Sequence, residues 1–328
     1  MKHLIISILI LAMASCNSSS NKPVSLIFDT DLGPDYDDVG ALTLLHALAD
    51  KGEVRLLATV SCNKYEFSCP SIDVINTYYG RPSLPIGKPQ QGVTQADGHN
   101  PSWAEALPAK FRHKLRKTSD APDAVAVYRK ILAAEPDNSV VIVTVGFFTN
   151  LAALLDSKPD EYSKLNGKQL ISKKVKHLVS MAGGFPSGRE YNVHCDTKSS
   201  QKVMTEWPSQ IYLSGFEIGQ KILTGKRLIE SNISDTPAKE AFTICLKQDN
   251  PEGRCSWDQT AALVGVRGYA NYFNTVRGKM TVADDGSNTW QDDLNGRHEY
   301  FTWKMPIPEL TQLIEDLMMH VPSIPISK

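Results

Sequence analysis

The feature that most limits how this chain can fold is a series of short, uninterrupted apolar stretches, each followed by a segment with helical spacing. Residues 140–145 read Val-Val-Ile-Val-Thr-Val. A β-branched run that short has no polar face, so it fits a strand covered on both sides. Residues 24–28, 54–61, 175–181 and 211–213 read as further strands. Residues 39–48, 72–79, 123–134, 150–155, 258–266 and 308–319 read as helices. Strands alternating with helices predict an α/β protein with a doubly wound, mostly parallel sheet. Asp284-Asp285-Gly286 marks a hairpin. Residues 87–118, rich in Gly, Pro and polar groups, predict a long functional loop or lid.

The N-terminus reads as an address. Met1-Lys2-His3 precedes apolar residues 4–13, a run well short of the about 20 residues a spanning helix needs but suited to a signal peptide. Met13-Ala14-Ser15-Cys16, followed by polar residues 17–23, resembles a bacterial lipoprotein signal. That resemblance divides the chain into a signal peptide (1–15), a tether (16–23) and a single domain (24–328), with Cys16 lipidated. It implies a bacterial cell-envelope location, with membrane contact through the lipid anchor alone. Export permits disulfides, and Cys62–Cys69 and Cys245–Cys255 are two open pairings among five remaining cysteines. A balance of 35 Lys and Arg against 36 Asp and Glu leaves no excess for neutralising phosphates, which argues against a nucleic-acid partner. The basic stretch 110–117 therefore reads as a solvated helix face.

Chemistry concentrates after the first strand, in Asp29-Thr30-Asp31-Leu32-Gly33-Pro34-Asp35-Tyr36-Asp37-Asp38. Five carboxylates in ten residues repel one another. A hard divalent cation resolves that conflict, since Ca²⁺ and Mg²⁺ take carboxylate and carbonyl oxygens. A solvated acidic loop with helix-capping aspartates is the plainer alternative.

This segment resembles the signature of the inosine–uridine-preferring nucleoside hydrolase family, Asp-x-Asp-Pro-Gly-x-Asp-Asp followed by a small-residue helix. The chain departs from it with Leu32 in place of proline and two extra residues before Asp37-Asp38, which leaves Asp35 in an insertion. Further blocks follow in order: Ala-Thr-Val-Ser-Cys-Asn ending at Asn63, the segment around Val145-Gly146, Ala182-Gly183-Gly184 with Glu190-Tyr191-Asn192, and Trp257-Asp258. The resemblance implies a Ca²⁺ held by Asp31, Asp38, the Val145 carbonyl and Asp258. It implies catalytic roles for Asp31, as acceptor of a water proton, and for Asn63. Asp37, Asn63, Glu190, Asn192 and Trp257 would bind a small nucleoside-like substrate. It also implies cleavage of the N-glycosidic bond to base and sugar, and the homodimers or homotetramers that relatives form.

Trp257 stands where relatives commonly carry a histidine that protonates the leaving base, and an indole cannot act as that acid. His99 and His194 are the candidate donors, each with a structural role as its competitor. Asp196 reads equally well as a helix cap, and Trp290 and Trp303 read as packing. Without an acid, a non-catalytic sugar- or nucleoside-binding lipoprotein is the alternative function. Asp29-x-Asp31 also resembles the nucleophile motif of haloacid-dehalogenase-like phosphatases, but Gly33 departs from it and no later set matches.

Overall fold

Alternate residues of a strand point to opposite faces, and here both faces are apolar. The computed structural model describes residues 22–322, so Cys16 and the leader lie outside the described residues. In β1 (Val24–Thr30), Leu26 and Phe28 enter one core layer and Ile27 enters the other. In β4 (Val140–Thr144), the strand named by the Val-Val-Ile-Val-Thr run, Val141 and Val143 join the first layer, Val140 and Ile142 the second. Helices Asp37–Asp50, Trp257–Arg267 and Ile307–Met318 cover the first face. Helices Ala124–Ala134, Thr149–Asp156, Gly167–Lys174 and Thr197–Glu206 cover the second.

The remaining strands are β2 (Val54–Ser61), β3 (Ile86–Gly87), β5 (Val175–Met181), β6 (Ser187–Gly188), β7 (Gln210–Ser214), β8 (Leu223–Thr224), β9 (Arg254–Cys255), β10 (Phe273–Val282), β11 (Asn288–Asp292) and β12 (His298–Trp303). The main sheet runs β3-β2-β1-β4-β5-β7-β12-β10-β11-β6. It is parallel from β3 through β12 and antiparallel beyond. β8 and β9 form a separate two-stranded ribbon. The strand order turns back between β1 and β4, and such a switch point opens a crevice at the strands' carboxyl ends. The hairpin expected at 284–286 joins β10 to β11, with Gly286 at φ 80°.

Other expectations needed correction. The basic stretch 110–117 is not a helix face: helix Trp103–Lys110 ends at its first residue, and Lys110 pairs with Glu240 and Asp235. The loop expected at 87–118 contains that helix and packs its 95–100 segment against residues 248–249. All five described cysteines are free thiols, including both pairs considered. No helix among the described residues is long and apolar enough to cross a membrane.

Helix Trp257–Arg267 approaches β4 so closely that a Cβ on Gly265 would lie 2.3 Å from Val143 Cγ2. Gly265→Val is therefore expected to lower stability by about 1–3 kcal/mol through overpacking, measured by chemical denaturation.

Candidate metal and substrate site

Backbone direction separates the first two aspartates of the acidic run. Asp29 is still within β1 and shares Ile27's face, so it points between two helices. There it accepts hydrogen bonds from the Tyr128 hydroxyl (2.8 Å) and Asn150 Nδ2 (3.2 Å). Burial pushes its carboxyl up to about 7. Asp29 thus ties the sheet to that helix layer.

Asp31 lies just past the strand, against the loop after β4. A Cβ on Gly146 would sit 2.6 Å from Asp31 Cβ, so only glycine allows the Val145 carbonyl and Asp31 to approach this closely. Asn63 reaches the same place from the end of β2 and spends its whole amide there. Nδ2 donates to the Asp31 carbonyl (2.9 Å) and to Gln95 O (2.8 Å), while Oδ1 accepts from the backbone N–H of Tyr65 and of Gln95. Asn63 is a clamp on the Asp31 backbone.

Asp37 and Asp38 open helix Asp37–Asp50, and Trp257 and Asp258 open helix Trp257–Arg267. Both N-termini converge on the crevice, where their partial positive ends favour anions. The Asp258 N–H donates to Asp37 Oδ2 (3.3 Å), locking the two ends together.

The crevice is lined by Asp31, Asp35, Asp37 and Asp258, by Val145 and Met181, by Glu190, Tyr191 and Asn192, and by Phe216 and Trp257. Asn192 Nδ2 donates to Val145 O (2.9 Å). Glu190 caps its short helix through the N–H groups of Asn192 and Val193, and accepts the Gly183 N–H. These bonds hold the glycine loop beside Asn192. A larger groove at the opposite ends of the strands is lined by basic residues that include Arg55 and Arg267, paired with Glu135 and Glu53.

Charge divides the site in two. Arg254, on β9, pairs with Asp35 (2.7 Å) and Asp37 (3.0 Å). Asp31, Asp38 and Asp258 are buried and make no ion pair among the described residues. Burial, reinforced by neighbouring carboxylates, pushes Asp31 and Asp258 well above the usual carboxylate range. Asp38 is pushed to about 6, and Thr30's hydroxyl bonds its Oδ1 while its buried Oδ2 has no hydrogen-bond partner. Asp35, Asp37 and Asp258 each bring an oxygen within 4.8 Å of the others. Two of those three, however, already face a guanidinium. Asp31, Asp38 and Asp258, the carboxylates implied by the family resemblance, have no such partner among the described residues, although of the three only Asp258 belongs to the convergent group; with the Val145 carbonyl they are oxygen donors of the kind a hard divalent cation takes.

The leaving-group candidates resolve as follows. Trp257 Nε1 donates to Phe216 O (2.9 Å), and its ring stacks on Phe216 at 5.2 Å, so it offers the crevice ring surface alone. His99 is fixed between Asp97 (2.9 Å) and Asp249 (3.0 Å). The His194 ring lies on the Glu190 carbonyl. Among the described residues no histidine lines the crevice. Asp196 caps helix Thr197–Glu206, Trp290 packs on Phe185 and Tyr300, and Trp303 packs on Phe273. Sequence reading missed Arg254 and Phe216. Phe216 follows β7 by two residues, so the strand-end rule points to it. Arg254 is the basic residue three places before Trp257, and an inserted aspartate without an obvious partner was its signal.

The proton on Asp38, whose carboxyl burial pushes up to about 6, must leave before a cation binds. Calcium is thus expected to raise the thermal midpoint more at pH 8 than at pH 5, and Asp38→Asn to remove most of that rise, both read by thermal unfolding.

The family model for inosine-uridine preferring nucleoside hydrolases matches residues 26–301. No curated protein matches the chain by sequence. Among solved structures, a plant nucleoside hydrolase is similar at 18% identity and a TM-score of 0.67, over 90% of this chain and 99% of its own. An inosine-uridine preferring nucleoside hydrolase from Bacillus anthracis is similar at 16% and 0.65, over 90% and 99%. The type III effector protein XopQ, complexed with adenosine diphosphate ribose, is similar at 15% and 0.64, over 90% and 92%. These likenesses show the α/β fold. The match from residue 26 to 301 shows more: this chain belongs to the inosine-uridine preferring nucleoside hydrolase family.

Proposed function

We propose that the chain hydrolyses the N-glycosidic bond of ribonucleosides, or of a closely related ribosyl compound, to free base and sugar with calcium as cofactor. The observation that carries this reading is a crevice lined by Asp31, Asp258 and Val145, with a third buried carboxylate, Asp38, whose charge acts on both aspartates, none of the three carboxylates having an ion pair among the described residues. Bound there, calcium would supply a water of lowered pKa and an anchor for ribose hydroxyls.

The chain's own residues do the rest. Asp31 accepts the proton of the attacking water. Asn63 fixes the backbone that carries Asp31. Asn192 and Glu190 line the crevice and face the ribose hydroxyls, while Asp37 holds the second helix in register. Negative groups around the sugar favour the positive charge that develops at C1′ as the bond to the base breaks. Trp257, Phe216 and Tyr191 give the base an aromatic wall.

A second reading, nucleoside or sugar binding without turnover, draws on the absence of a histidine from the crevice lining among the described residues. The likeness to an effector that was solved with adenosine diphosphate ribose agrees with it. Base release from a panel of purine and pyrimidine ribonucleosides, with the calcium-loaded protein, separates the two. Turnover supports the hydrolase, and ligand-dependent thermal stabilisation without base release supports the binder. Asp31→Asn is expected to lower kcat by about a hundredfold to ten-thousandfold, measured by base release at saturating nucleoside.

The proposal extends to a lipid anchor at Cys16 holding the enzyme in the bacterial envelope, where it would serve nucleoside salvage, and to assembly as a homodimer or homotetramer. Metabolic labelling with palmitate, lost in Cys16→Ser, is the expected result for the anchor.

A further inference from the structure

Two departures from the family signature meet at one side chain. The longer segment 34–36 carries Asp35, whose carboxylate pairs with Arg254, and Tyr36, whose ring lies 5.1 Å from the guanidinium carbon. The same guanidinium carbon is 5.0 Å from the ring of Trp257, the residue that stands in place of the usual histidine. Arg254 Nε is bonded to Asp37 (3.0 Å), so the group is held from two sides and over two rings. Its Nη1 makes no hydrogen bond among the described residues.

Resting on the hydrolase reading above, we propose that Arg254 is a positioning residue that stabilises the departing base: it holds Trp257 and places a fixed positive charge beside the indole wall, where relatives use a proton donor. When the bond from C1′ to the base nitrogen breaks, its electron pair leaves with the nitrogen. A histidine would cap that pair with a proton. Arginine stays charged throughout and donates no proton, so it acts by attraction. The base takes its proton from solvent water, and the proton accepted by Asp31 returns to solvent, so the sum remains nucleoside plus water to base plus ribose. Asp35 and Asp37 together outweigh the guanidinium in net charge, so the attraction is local: they hold its Nε–Nη2 edge and leave the Nη1 N–H groups unbonded among the described residues, with the guanidinium carbon over the two rings. The extra residues in 34–36 then have a purpose, since they supply the carboxylate and the ring that fix Arg254.

The test compares leaving groups. A purine ribonucleoside needs its departing charge stabilised, whereas p-nitrophenyl riboside releases a phenolate that needs little help. With the calcium-loaded protein, Arg254→Gln is expected to lower kcat on the nucleoside about tenfold to a hundredfold and to leave kcat on p-nitrophenyl riboside within about twofold. Arg254→Lys is expected to recover part of the loss, and Asp35→Asn to reproduce a smaller one. The calcium-induced rise in thermal midpoint should persist in all three. Equal losses on both substrates, or loss of the calcium response, would make Arg254 part of the metal framework and overturn the proposal. No loss on either substrate would overturn it as well. If Arg254→Gln does not fold, the leaving-group comparison for Arg254→Lys and Asp35→Asn decides by the same criterion. Wild-type protein inert toward both substrates would sink the hydrolase reading itself, an outcome distinct from any seen only in the variants.

Discussion

Five buried or half-buried aspartates meet at one end of this sheet, and among the described residues a single guanidinium pairs with them. That shortage of positive charge is the constraint around which the rest is arranged. Moving an ionised carboxylate out of water costs several kcal/mol even after relaxation, and mutual repulsion adds to it. The fold offsets part of this cost by aiming two helix N-termini at the cluster and giving Asp37 an N–H from the opposite helix. Arg254 answers for Asp35 and Asp37. The remainder, on Asp31, Asp38 and Asp258, has no protein counterpart among the described residues. A site assembled at such cost is one that could hold a cation.

The same arrangement explains why the crevice is built from backbone as much as from side chains. Asn63 spends its amide on main-chain groups, Glu190 accepts three backbone N–H bonds, and Gly146 admits Asp31 where any side chain would collide. Rigid support of this kind sets first-contact groups to within fractions of an ångström, which electrostatic catalysis demands. Trp257 is supported in the same manner, with its N–H given to Phe216 O and Gly219 leaving room for its backbone. On the proposal above, Trp257, which donates no proton to the base, and Arg254 beside its ring act together on the leaving group.

Much of this was legible along the chain, for a definite reason. The Val-Val-Ile-Val-Thr strand, the strand ending at Met181 and the hairpin at Gly286 declare themselves through period, β-branching and turn chemistry, all local properties. Asp31 follows the first strand, where the rule that sites form at carboxyl ends directs attention; Val145, Glu190, Asn192 and Trp257-Asp258 come from the resemblance to the family's blocks, and the structure brings them to the same crevice. The short strands at Ile86–Gly87, Ser187–Gly188 and Arg254–Cys255 were invisible, because two residues carry no period. The basic stretch misled for the opposite reason: Lys110 ends its helix and the residues beyond turn away to reach Asp73 with backbone N–H groups.

The sequence by itself determined the layered α/β architecture, the acidic run whose repulsion a cation would relieve and the order of the blocks that meet around it. These follow from side-chain periodicity and from chemistry carried by single residues. Only the tertiary structure decided which carboxylates are paid for by protein charge. Asp29 turns to the helix layer because it stands in the strand, and Asp31 turns to the crevice because it stands one step beyond the end. Arg254 lies 217 residues past Asp37, yet the ribbon of Leu223–Thr224 and Arg254–Cys255 lays it against that aspartate. Long-range electrostatic partners are chosen by how elements pack, and nothing in local spacing encodes them.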